Sequence, residues 1–76
     1  MTQRITIGLL EDAELALVKQ RLIALGLEIL SMPSTYLPNV IVATIPATWK
    51  MEDYLEKIKQ ISGISYAEAD AWRASL

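Results

Sequence analysis

The chain spells out one pattern twice. Leu22-Ile23-Ala24-Leu25-Gly26-Leu27-Glu28-Ile29 is echoed by Ile58-Lys59-Gln60-Ile61-Ser62-Gly63-Ile64-Ser65. Each copy closes a helical stretch, stops it with a glycine and starts an extended segment. Glycine serves as the stop because it takes the left-handed C-cap conformation without a Cβ penalty. A chain of 76 residues holds one domain. Two such units in one domain leave room for little besides a strand, a helix and a strand, repeated.

The local patterns fill in that frame. Residues 4–10 alternate, with Ile5, Ile7 and Leu9 on one face and Thr6 and Gly8 on the other, which reads as a strand. Glu11 and Asp12 are expected to open the first helix, with Asp12 as its cap and the acidic pair facing the positive end of the dipole. Leu15, Val18, Leu22 and Leu25 then form a buried stripe at helical spacing, and Lys19 and Arg21 fall late, where cations are favoured. A second strand is expected over 27–32, followed by the loop Pro33-Ser34-Thr35-Tyr36-Leu37-Pro38-Asn39.

Residues 40–45 are β-branched except at Ala43 and read as a central strand, so Val42 joins Leu22 and Ile58 among the expected core residues. Pro46 ends it. Thr48 is expected to cap the second helix, with Trp49 in its first turn and Met51, Leu55, Ile58 and Ile61 or Ser62 as its stripe. Glu52 and Asp53 suit the same helix start, and Gly63 is the stop. A fourth strand is expected over 64–67, and 68–76 shows no period.

The order βαββαβ, with right-handed crossovers, predicts an α+β fold. It is a ferredoxin-like sandwich, a four-stranded antiparallel sheet with two helices on one face. The second face of that sheet has no helix to cover it. With 53% hydrophobic residues, above the usual ~45–50%, that open face is expected to be a docking surface for another protein.

Composition narrows the function further. The net charge is −2 and no Lys/Arg cluster exceeds two neighbours, so nucleic acid, whose binding needs a cationic surface, is not an expected partner. There is no Cys and no His, which removes thiolate metal sites, cysteine nucleophiles and the commonest general base. Serines 31, 34, 62, 65 and 75 have no histidine base beside them. The glycines stand singly and make no phosphate-cradling loop. No apolar run approaches 18 residues, so no membrane span is expected. The start, Met1-Thr2-Gln3-Arg4, does not lead into the apolar core of a secretory signal, and a cytoplasmic location is expected. Neither a metal nor a cofactor is expected, and the chain reads as a binding domain, not an enzyme.

Glu68 and Asp70 stand apart from the other acidic pairs. They follow a strand and precede no helix, and their spacing of two points them the same way if the chain stays extended. One reading is a solvated strand end. The other is a pair of acceptors for exposed N–H groups at the helix N-termini of a partner. Trp72, in the tail, is either folded back or a binding anchor.

The stretch Ile61-Ser62-Gly63-Ile64-Ser65-Tyr66-Ala67-Glu68-Ala69-Asp70 resembles the end of subtilisin propeptides and of the stand-alone inhibitors built on that domain, the peptidase inhibitor family I9. The specific match covers about ten residues. The chain also suits that family's length and βαββαβ order. The resemblance implies that the open sheet face packs on two surface helices of a subtilisin-like serine protease, with Glu68 and Asp70 meeting their N-termini. It implies that the extended tail 71–76, through Trp72, Arg73, Ala74, Ser75 and Leu76, lies as an added strand in the substrate cleft, product-like, with Leu76 in the primary specificity pocket.

Arg73 stands fourth from the end, where such proteases usually take an apolar side chain, and Trp72 reaches that place only with a shift of one residue. No protease domain follows Leu76, so the resemblance implies a free inhibitor or a folding helper. A monomer or a weak dimer is expected. The alternative is an ACT-type ferredoxin-like domain, a regulatory or oligomerisation module binding a small effector, although Leu10-Glu11-Asp12 lacks the glycine usual after the first strand of that type.

Overall fold

The computed structural model describes residues 2–36 and 38–69. The elements run β1 (Thr2–Leu9), α1 (Leu15–Ala24), β2 (Glu28–Ser31), β3 (Val40–Pro46), α2 (Met51–Lys59) and β4 (Ile64–Ala69). The strands form one antiparallel sheet in the order β2-β3-β1-β4. This is the α+β, ferredoxin-like arrangement expected from the repeated pattern. β1 and β3 are central, and β2 and β4 are the edges.

Register explains the core. Ile5 pairs with Ala43 and Ile7 with Ile41 on β3, while Ile7 also meets Ala67 of β4. Alternation then sends Ile5, Ile7, Ile41, Ala43, Ile45 and Ala67 to the same face. These residues are buried, and they form one cluster with Val18 and Leu22 of α1 and Ile58 of α2. Both helices therefore lie on that face. The other face carries Thr6, Gly8, Val42, Thr44, Tyr66 and Glu68.

Helix ends differ from their sequence expectation. α1 starts at Leu15, not at Glu11, and neither Asp12 nor any other side chain caps it; Glu14 occupies the N-cap position in an extended conformation. Residues 10–14 are spent turning the chain back, with Ala13 N–H bonded to Leu10 O at 3.1 Å. Leu15 consequently sits on the rim of the first turn and is exposed, outside the stripe of Val18 and Leu22. α2 starts after Lys50, not after Thr48, again with no side-chain cap, and Trp49 precedes it.

Trp49 is placed by other means. The side-chain amide of Gln3 donates to the carbonyls of Pro46, Ala47 and Trp49 at 3.2, 3.4 and 3.0 Å. The Trp49 ring stacks on Tyr54 with centroids 4.6 Å apart, and Lys57 Nζ lies 4.7 Å from the Tyr54 centroid. On its other side Trp49 approaches Gly26, where a Cβ would come within 2.8 Å of the indole. Gly26 has φ 100°, so both backbone and space require glycine there. α2 ends at Lys59, and Gly63 lies three residues beyond its C-cap Gln60, so it turns the chain into β4 without terminating the helix directly.

Candidate functional site

The helix-free face is built from three cross-strand rows. Register places Glu28, Thr44 and Arg4 in one, Ser31, Val42, Thr6 and Glu68 in the next, and Val40, Gly8 and Tyr66 in the third. Val42 is half-buried on this face and is not a core residue. Its run of apolar neighbours held no alternation to reveal that; the pairing with Thr6 decides it. Thr44 is the one buried polar residue among those described.

Tyr66 lies across Gly8. A Cβ on Gly8 would fall inside the Tyr66 ring, so the glycine makes a seat for the aromatic on the neighbouring strand. Tyr66 keeps 43% of its surface exposed. It is the one aromatic that the described residues present on this face, and the seat fixes where it stands.

Glu68 is part of β4, because the strand continues two residues past its expected end, to Ala69. β1 provides the reason: Thr6 and Ile5 offer pairing partners to Glu68 and Ala69. Glu68 is exposed, and its carboxylate has no hydrogen-bond or ion-pair partner among the described residues. Asp70, Trp72, Arg73, Ala74, Ser75 and Leu76 lie outside the described residues.

The face is less apolar than composition suggested. Val40 and Val42 are half-buried, and Thr6 and Glu68 lie in the same cross-strand row as Val42. Leu15, Leu17 and Ile23 of α1, with Leu10 just before it, carry much of the exposed apolar surface instead. A groove of about 260 Å³ beside them is lined by Leu10, Asp12, Leu17, Arg21 and Ile61, among others. It falls just below the ~300–1,000 Å³ usual for a small-molecule site. No group of three His, Cys, Asp or Glu able to hold a metal occurs among the described residues. No buried side-chain polar atom is left without a partner among them either. No described helix is long and apolar enough to cross a membrane.

Fold and site together define a class: a ferredoxin-like α+β domain whose uncovered sheet face presents, among the described residues, one seated aromatic and a carboxylate with no partner. Comparison with protein-family models, with curated proteins and with solved structures found no match for this chain.

Proposed function

We propose that this domain is a protein-binding inhibitor of a subtilisin-like serine protease and catalyses no reaction itself. The observation that carries the reading is Glu68. It stands on the helix-free face, on the strand leading into the tail, with its carboxylate unpartnered among the described residues. In this reading Glu68 and Asp70 accept hydrogen bonds from N–H groups at helix N-termini of the protease, where the helix dipole favours an anion. Tyr66 and the small residues around it pack beside those helices. Trp72 to Leu76 add a strand in the substrate cleft, and the Leu76 side chain fills an apolar pocket.

The test is an inhibition constant against a panel of subtilisin-like and chymotrypsin-like proteases. Inhibition of at least one subtilisin-like enzyme is expected. Burying one Leu side chain is worth ~1.5–3 kcal/mol, so deleting Leu76 should weaken inhibition by roughly ten- to a hundredfold. Glu68→Gln should weaken it less, since a charge at a helix terminus is worth ~0.3–1 kcal/mol, up to ~2 when partly buried. An intact chain that inhibits no subtilisin-like protease ends this reading.

A further inference from the structure

We propose that in the free chain residues 70–72 carry β4 onward along the start of β1, so that Asp70 stands opposite Arg4 and Trp72 opposite Thr2. The occupant of this stretch of β1 is thus the chain's own C-terminal segment. The pairing is a property of the unbound domain and does not rest on the inhibitor reading.

The described part of β4 stops short of the start of β1. β1 runs for eight residues, and β4 lies beside Ile5 to Leu9. Backbone alternation shows which groups of β1 look toward β4. Leu9 N–H bonds Asn39 O at 2.8 Å, on the β3 side, and Leu10 N–H bonds Gly63 O at 2.9 Å, on the β4 side. Even-numbered residues of β1 therefore aim N–H and C=O at β4. Gly8 does so opposite Tyr66, and Thr6 opposite Glu68. Arg4 and Thr2 continue the series, and a row of ladder groups is a template for a further length of strand.

The segment after Ala69 fits that row in register, size and charge. Ile5 faces Ala69, so the next partners are Arg4 with Asp70, Gln3 with Ala71 and Thr2 with Trp72. Hydropathy has no period here, yet size does: from Tyr66 to Trp72 every second residue is Ala. Ala67 is buried on the core face, while Tyr66 and Glu68 stand on the helix-free face. The same alternation carries Ala71 to the core side and Asp70 and Trp72 to the helix-free side.

Arg4 is on the helix-free side too, in one row with Thr44. A cation and an anion directly opposite on one face attract, with Cβ atoms ~4.5–5.5 Å apart. Trp72 takes the position diagonal to Arg4, within reach of a large ring, where a guanidinium stacks favourably on an indole. Arg73 would place a charge on the core side, so the alternation and the pairing end at Trp72. Trp72 is therefore folded back onto its own sheet, and while it is, only residues 73–76 are left to enter a cleft.

NMR of the full chain and of a chain ending at Ala69 tests this, with circular dichroism confirming that each variant folds. An Hα–Hα contact between Gln3 and Ala71, the non-hydrogen-bonded pair, is expected in the full chain, together with slow hydrogen exchange of the Arg4 amide. In the chain ending at Ala69 the Arg4 amide should exchange roughly tenfold faster, having lost one hydrogen bond. The Ile7 amide, on the β3 side, should keep its protection. Arg4→Asp and Asp70→Arg should each lower the protection of the residue-70 amide roughly three- to tenfold, because like charges then face each other. Both changes together should recover most of it. An absent Gln3–Ala71 contact, an Arg4 amide that exchanges no faster in the shortened chain, or a combined variant no better protected than the single ones overturns the pairing.

Discussion

Gly8 and Tyr66 show how one residue's absence of a side chain is read by its neighbour. In sequence Gly8 only interrupts an alternating strand; its purpose becomes visible when β4 sets Tyr66 opposite it. A methyl group at position 8 must evict the ring. Overpacking of this kind costs typically ~1–3 kcal/mol. Gly8→Ala should therefore destabilise the native chain, whereas in a Tyr66→Ala background it should be neutral or favourable, because Ala loses less backbone entropy than Gly in a strand. Urea titration of the four proteins checks this; equal costs in both backgrounds would deny the contact. The same measurement separates the core from the open face. Leu22→Ala and Ile58→Ala empty fully buried sites and should cost ~2–5 kcal/mol each. Val42→Ala, at a half-buried site, should cost clearly less.

At the scale of elements, what was legible is what local spacing encodes. Ile5, Ile7 and Leu9 alternate and are buried; Val18, Leu22 and Ile58 recur at helical spacing and are buried. Helix starts were illegible, because the expected cap residues Asp12 and Thr48 are spent in the turns before each helix. Where β4 ends is set by pairing with Thr6 and Ile5, far away in sequence. The missing caps offer a direct test. Lys50 is the extended N-cap of α2, makes no side-chain cap bond and places a cation at the positive helix end. Lys50→Asp supplies both an acceptor and the favourable charge. Each is worth several tenths to about 1 kcal/mol, so the variant should be more stable by about 1 kcal/mol. In a domain this small that is a rise of ~4–8 °C in melting temperature. A melting temperature that stays put or falls would mean that Lys50 is held by something other than its cap position.

Taken as a whole, the molecule holds β2 and β4 at opposite edges of its sheet. The repeated strand–helix–strand unit was legible because each copy carries its own helix stripe and glycine. Which strands become edges was legible only through the topology that the repeat implies. The distribution of exposed apolar surface was not legible: it depends on which side of α1 the sheet leaves bare, and that placed Leu17 and Ile23 outside. The consequence can be measured. β3 and β1 separate β2 from β4, and at ~4.8 Å per strand spacing the edges stand roughly 14 Å apart. Sites separated by more than ~7–10 Å usually act additively within ~0.3–0.5 kcal/mol, about a factor of two. Leu30→Glu, on the β2 edge, should thus leave an inhibition constant within about twofold of the native value. Glu68→Gln should weaken inhibition, and the double variant should match Glu68→Gln alone within the same margin. If Leu30→Glu weakened inhibition more strongly than Glu68→Gln did, the protease would be meeting the β2 edge, and Glu68 would return to being a solvated carboxylate at the end of a strand.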